Sequence, residues 1–356
     1  MARDGRVIPV SIALECEVLK MALSRRRFLA LALGAGAAFG AGGLVWRECH
    51  ARPVTRRAWA LGSDVSMTVM GISAPAADRA LDAAFAELEI VEQAMSLYRP
   101  DSQVCRLNRH RVLDRPHAYL LEVLAMAEQT ARSSDGAFDI TVQPLWELFA
   151  ACRKQGRLPT DAEIATARDR VDWRAVEVSR DRIRLHAPAT AITLNGIAQG
   201  FAADRAIAVL QQHGVEHALI NSGEIRGLGR KSSGQKWTVG VQHPRDPEAF
   251  VGVAALDGRS LATSGDYETT FSTDFARNHI FNPRTGQSPT SVASVSIVAP
   301  TAMQADALST AAMVLGPDRT RVLIESLPDA DALFVLKDGR TLRTQGFPLM
   351  QENENG

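Results

Sequence analysis

The sequence predicts an α+β fold, and three observations carry that prediction. Helical and strand periodicities follow one another irregularly, without the repeated β-α order of a doubly wound sheet. Strand pairs close on tight turns at Asp257-Gly258 and Asp338-Gly339, the chemistry of antiparallel hairpins. Between residues 192 and 229 a strand, a glycine turn, a helix and a second strand form one unit, which organises the chain.

Taken in order, residues 59–71 read as an opening strand, with Val65, Met67 and Val69 alternating. Residues 76–95 are an amphipathic helix, apolar at Leu81, Ala84, Leu88, Val91 and Met95. A loop at 96–102 leads to a short segment at 104–108, and a second helix at 118–132 stops at Ser133-Ser134-Asp135-Gly136. Residues 138–142 are strand-like and 146–153 helical. Thr160-Asp161-Ala162-Glu163 is a capping box opening a helix to Arg170. Short strands at 176–178 and 183–185 lead into the central unit.

In that unit, residues 191–194 read as a strand broken at Asn195-Gly196. The helix beyond carries Ala203, Ile207 and Leu210 on one face, Gly214 occupies its stop position, and 218–220 is the second strand. Glycines let a backbone approach an anion, and a helix N-terminus offers free N–H groups. The spacing is neither G-x-G-x-x-G nor a P-loop, so a phosphate cradle and a plain strand-to-helix turn both stay open. Strands follow at 237–241 and 294–298, with a hairpin over 251–261. Thr301-Ala302-Met303-Gln304 caps a helix ending at Gly316-Pro317, residues 318–327 are helical, and the last hairpin turns at Asp338-Gly339.

The N-terminus reads as an address. Ser24-Arg25-Arg26-Arg27-Phe28-Leu29 precedes an uncharged Ala/Gly/Leu-rich run to Val45, the pattern of a twin-arginine signal. Residues 1–51 are therefore assigned to a signal peptide, with 1–20 an extension ahead of a second start at Met21, and 52–356 to one domain. A membrane anchor is the competing reading, although the Gly/Ala content makes a weak span. The whole chain balances 40 Lys+Arg against 40 Asp+Glu, and no basic block follows the signal, so nucleic acid is not an expected partner. Cys105 and Cys152 lie outside metal spacing and make no disulfide framework.

Three clusters could carry chemistry. Asp306 and Thr310, four apart on one helix face, could offer hard oxygens to Mg²⁺ or serve the helix itself. Thr263-Ser264-Gly265-Asp266-Tyr267-Glu268 is a polar loop after a strand, where binding groups gather as readily as ordinary turns. His279 could move protons near neutral pH or act as a structural donor. No G-x-S-x-G elbow, H-E-x-x-H or cysteine nucleophile is present.

Seven segments in series, at 96–108, 135–144, 195–205, 221–226, 262–268, 279–286 and 305–310, resemble the ApbE family, the FAD:protein FMN transferases, over residues 61–335. The resemblance implies an ApbE-like, T-fold-related arrangement of mixed and antiparallel sheets with packed helices and a flavin cleft between sub-domains. It implies FAD bound with its diphosphate beside the Gly196–Gly200 turn and Tyr98 against the flavin ring. Asn195, Gly196, Ala198, Gln199, Gly200, Glu224, Thr263, Ser264 and Thr285 would hold the dinucleotide. Mg²⁺ would rest on Asp306, Thr310 and the Ala198 carbonyl, with His279 or Asp266 as the base. The implied reaction moves FMN from FAD to a Thr or Ser hydroxyl of a periplasmic or membrane-bound acceptor flavoprotein and releases AMP.

Three positions depart from the family pattern. Asn195-Gly196-Ile197-Ala198-Gln199-Gly200 has Gln199 where lysine is usual, Ser222-Gly223-Glu224 stands for G-G-D, and Asn282-Pro283-Arg284-Thr285-Gly286 for D-P-x-T-G. Loss of a lysine beside phosphate weakens binding or slows transfer unless another cation compensates. The export signal and these departures leave room for a branch serving one partner, such as the membrane flavoprotein of nitrous-oxide reduction. A flavin carrier without transferase activity and an Mg²⁺-dependent FAD pyrophosphatase are the competing functions.

Overall fold

A computed structural model describes residues 52–231 and 233–350. The signal-peptide assignment lies outside them. The described chain begins with a hairpin, β1 (Val54–Ala60) and β2 (Ser63–Met70), where the sequence suggested one strand. The turn at Leu61-Gly62 uses two positive φ angles and folds the alternating run back on itself. Helix α1 (Ala74–Met95) then buries Ala77, Leu81, Ala84, Leu88, Val91 and Met95, close to the 3.6-residue stripe the sequence carries.

Helix α2 (Gln103–His110) forms where only a short segment was expected, because the Ser102 hydroxyl accepts from the Cys105 N–H and caps it. Strand β3 (Val112–Asp114) and helix α3 (Ala118–Ser133) follow. Residues expected as strand at 138–142 are instead a 3₁₀ turn at Ile140–Val142. The Asp139 carboxylate accepts from the Thr141 N–H at 2.7 Å and from its hydroxyl at 2.6 Å, closing the turn against the apolar pattern. Helices α4 (Gln143–Lys154) and α5 (Asp161–Arg168) pack together, the second opening on the expected capping box. Strands β4 (Val176–Val178) and β5 (Arg182–Leu185) join β3 in a small sheet ordered β3-β5-β4.

Residues 191–194 are extended but pair with no strand, which corrects the strand read there. Asn108 holds that stretch by accepting from the Ile192 N–H and donating to its carbonyl, both at 2.8 Å. Helix α6 (Ala198–Gln212) runs to a stop at His213 and Gly214, as the sequence indicated. Strands β6 (His217–Asn221), β7 (Ile225–Leu228), β8 (Thr238–His243), β9 (Asp246–Ala255), β10 (Ser260–Gly265) and β11 (Val292–Ala299) follow. The expected hairpin at Asp257-Gly258 is absent: β9 pairs with β8, while β10 pairs with β7 and β11. Strands β9 and β10 thus belong to different sheets, and the glycine turn serves as a crossing between layers. Helix α7 (Ala302–Glu325) breaks at Gly316 before Pro317, at the expected stop. Strands β12 (Asp331–Leu336) and β13 (Thr341–Arg343) close the chain as the anticipated hairpin.

The main sheet has eight antiparallel strands in the order β1-β2-β6-β7-β10-β11-β12-β13. Its centre is a seam, because β7 and β10 share the single pair Ile225 and Leu261, whereas β10 and β11 pair over six residues. Helices α1 and α6 cover one half through Val65, Met67, Leu81, Phe201 and Ile220, and α7 covers the other through Val295, Ile297, Ala305 and Met313. The β8-β9 ribbon packs on the opposite face through Trp237, Val239 and Leu256. The period-2 alternation of strands places Leu219 and Val298 on that second face while their neighbours face the helices. Cys105 and Cys152 are unpaired thiols.

Candidate functional site

A cavity of about 680 Å³ opens where the two halves of the sheet meet, with Ile225 and Leu261 of the seam in its wall. That lies within the ordinary range of small-molecule and cofactor pockets, roughly 300–1,000 Å³. The β1-β2 turn, the loop after α1, the 3₁₀ turn, the start of α6, the β6-β7 turn, the end of β10 and the N-terminal part of α7 all contribute.

The predicted residues divide clearly. Tyr98, Asn195, Gly196, Ala198, Gln199, Glu224, Thr263, Ser264, His279, Asp306 and Thr310 line the cavity together. Tyr98 is 71% exposed at the mouth, available to stack on a planar ligand. Gly196 lies against Thr310, and a Cβ there would fall 2.7 Å from the Thr310 hydroxyl. Bare backbone therefore brings the start of α6 up to α7. Ser264 bridges the same region, 2.7 Å from the Ser309 hydroxyl and 3.4 Å from that of Thr310.

Gly200 lies in the α6–α7 contact and outside the cavity wall. Its N–H donates to Asp306 Oδ2 at 3.0 Å, so it acts on the site through that carboxylate. Thr285 is exposed on the turn after Pro283, where its hydroxyl accepts from the Gln287 N–H, away from the cleft. Asp266 turns inward: Arg245 donates to both its oxygens at 2.6 and 2.8 Å, Lys337 lies 3.2 Å away, and its side chain has no exposure. A carboxylate so enclosed cannot reach an acceptor hydroxyl, which argues against the base role read from the sequence.

The electrostatics of the cleft are dominated by buried carboxyls. Burial pushes Asp306 up to about 7, with the Asp204 carboxylate adding to the rise. Burial also raises Glu224 well above the usual range, and the charge on Asp306 adds to it. Asp139 is pushed up to about 6 by burial, against the hydrogen bonds from Thr141. His279 donates from Nδ1 to the Thr269 carbonyl at 3.3 Å, a geometry that leaves Nε2 with its lone pair. Burial lowers its pKa, so the neutral, proton-accepting form prevails near pH 7.

At the position where lysine was expected, Gln199 donates to the Ser63 hydroxyl at 3.4 Å and rests against Gly223. Among the described residues the Arg or Lys side chain lining the cavity is Arg57, on β1. Sequence reasoning missed Arg57, Ser63 and Asp64, which enter the site on the β1-β2 hairpin, and Gln242 on β8, while Asp139, Gln143 and Asn221 lie in matched segments without having been singled out. The Leu61-Gly62 interruption of an alternating run was the signal available for the first of them.

The oxygens of Asp306 and Thr310, with the carbonyl of Ala198 nearby, form a hard donor set suited to Mg²⁺, which keeps open positions for phosphate and water. Asp306 is 3% exposed and its recorded partner is the Gly200 N–H, so a cation would neutralise an otherwise unpaired buried charge. The donor chemistry fits the ion. Among the described residues no three His, Cys, Asp or Glu side chains cluster as a metal site, so phosphate and water would complete the shell.

Comparison with known proteins converges on one family. The model of the ApbE family matches residues 61–334. A Treponema pallidum protein named FAD:protein FMN transferase is 34% identical over 304 residues, covering 77% of this chain and 82% of that protein. The Salmonella typhimurium protein of the same name is 28% identical over 301 residues, covering 81% and 85%. Among solved structures, the ApbE protein of Thermotoga maritima superposes with a TM-score of 0.75 at 29% identity, covering 83% of this chain and 97% of that one. The flavinyl transferase ApbE of Pseudomonas stutzeri, in its apo form, gives 0.73 at 30% identity, covering 83% and 96%.

Proposed function

The chain belongs to the ApbE family, and from that premise we propose that it transfers FMN from FAD to a Thr or Ser hydroxyl of an acceptor protein, releasing AMP. The observation that carries this reading is the cleft at the sheet seam. It gathers an aromatic mouth, a bare-backbone turn at the start of α6, hard oxygens on α7 and a neutral histidine in one wall.

In this reading the flavin lies against Tyr98 and the diphosphate lies beside the turn at the start of α6. Asp306, Thr310 and the Ala198 carbonyl would hold Mg²⁺, which when bound neutralises the diphosphate as charge moves to the leaving group. The acceptor oxygen attacks the phosphorus of the FMN half. Its proton goes to His279 Nε2, one P–O bond forms, and the bond to the AMP oxygen breaks. Arg57 supplies the cationic charge that Gln199 does not. The Asp139 side chain closes the 3₁₀ turn that brings Ile140 and Val142 into the cavity wall.

In this reading the twin-arginine pattern supports a periplasmic reaction on a flavoprotein of a membrane respiratory complex, that of nitrous-oxide reduction being the candidate to try first. The test is intact-mass spectrometry on the full chain with FAD, Mg²⁺ and a panel of periplasmic acceptor domains, with an EDTA control. A metal-dependent FMN-sized gain on an acceptor is expected. FMN and AMP released without an acceptor would make the enzyme a pyrophosphatase, and intact bound FAD with no gain would make it a carrier.

A further inference from the structure

Glu224 is the least explained side chain in the cleft. It sits on the turn between β6 and β7 and is 6% exposed. Its Oε2 is fully enclosed and has no hydrogen-bond partner. The backbone N–H of Thr263 points toward the same carboxyl group. Neither Glu224 nor Asp306 is paired with an Arg or Lys among the described residues, whose buried cations go elsewhere: Arg245 and Lys337 to Asp266, and Arg226 to Asp204. Two buried carboxyls in one cavity wall, each without a cation, are costly unless a proton or an ion resolves the repulsion.

The surroundings tie the two groups together. Ser222 donates to the Gln199 carbonyl at 3.3 Å, which ties the Glu224 turn to the first turn of α6. Gly200, one residue on, donates to Asp306. From the other side, Thr263 faces Glu224, and its neighbour Ser264 lies 3.4 Å from Thr310. Glu224 is therefore bound into the same ring of contacts as Asp306 and Thr310.

We propose that Glu224 is a second carboxylate for the divalent cation, offered by the β6-β7 turn. The inference rests on the metal-dependent reading above. Mg²⁺ takes one or two carboxylates and completes its shell with phosphate and water, which matches this pair with the Thr310 hydroxyl and the Ala198 carbonyl. Direct ligation and ligation through a bound water serve the same role, since both fill the lone pairs of Oε2.

The experiment titrates the full chain with Mn²⁺ as a surrogate, reading free Mn²⁺ by electron paramagnetic resonance, for wild type, Glu224→Gln and Asp306→Asn. Glu224→Gln is expected to weaken Mn²⁺ binding at least tenfold. A second readout is thermal: Mg²⁺ should raise the wild-type melting temperature and leave that of Glu224→Gln nearly unchanged. If Glu224→Gln does not fold, Glu224→Asp, shorter by one methylene, should show the same loss in smaller measure. Mn²⁺ affinity within twofold of wild type in the Glu224 variants, with Asp306→Asn impaired, would overturn the proposal and leave the metal reading standing. No Mn²⁺ binding by wild type would overturn both.

Discussion

The backbone N–H of Gly200 donates to Asp306 Oδ2 at 3.0 Å, linking the first turn of α6 to the second turn of α7. The contact exists because position 200 has no side chain. A Cβ there would overlap the Ala302 carbonyl and come 2.8 Å from Asp306 Cβ. Gly200→Ala must therefore push two packed helices apart. The expected cost is about 2–3 kcal/mol, in the range of overpacked cores, with the melting temperature falling by several degrees in calorimetry. Transfer should fall with it, because the same shift moves Asp306. An alanine variant as stable as wild type would show that α7 is free to move.

Asp139 sets a pH dependence. Its carboxyl keeps a proton up to about 6 in the folded chain, against an ordinary 3.8. Between those values the unfolded chain has released that proton and the folded chain still holds it. Stability from this group is therefore full below about pH 3.8 and declines as pH rises toward 6, with a slope of at most about 1.4 kcal/mol per pH unit. Asp139→Asn should remove that component from a series of denaturant melts taken between pH 4 and 7. It should also loosen the 3₁₀ turn, since the Trp173 N–H loses the oxygen that accepts it at 3.2 Å.

His279 should titrate below 6.5 because of burial, and NMR of the ring protons in the full chain would show it. His279→Ala is expected to lower transfer by roughly 10²–10⁴ while leaving FAD affinity near wild type, as for a proton acceptor. Full transfer by the alanine variant would remove the histidine from the reaction.

Arg245 and Asp266 make a second test, of stability alone. The pair is bidentate, and the Asp266 side chain is wholly buried. Arg245→Met leaves that charge with Lys337 only, 3.2 Å away. A loss of about 3 kcal/mol is expected in chemical denaturation, at the lower end for breaking a buried pair because one cation remains.

Much of the helical framework was legible in advance, because helix information is local. The stripe of Leu81, Leu88 and Val91, the Thr160 capping box, and the stops at Gly214 and Gly316 depend on residues within a few turns of one another. The resemblance also singled out candidate residues, eleven of which share the cavity wall. Short polar contacts reversed some local readings. Asp139 turned an apolar run into a 3₁₀ turn, and Asn108 held residues 191–194 without a strand partner.

By itself, the sequence determined the longer helices and where they stop, since period and capping act over short distances, and it singled out polar loops that line the cleft. Only the tertiary structure decided that β9 and β10 part into different sheets, that the seam between Ile225 and Leu261 opens the cleft, and that Asp266 faces Arg245 rather than the cavity. Strand pairing and ion pairing join residues far apart in the chain. Their outcome depends on how all the elements pack at once, and no local spacing encodes it.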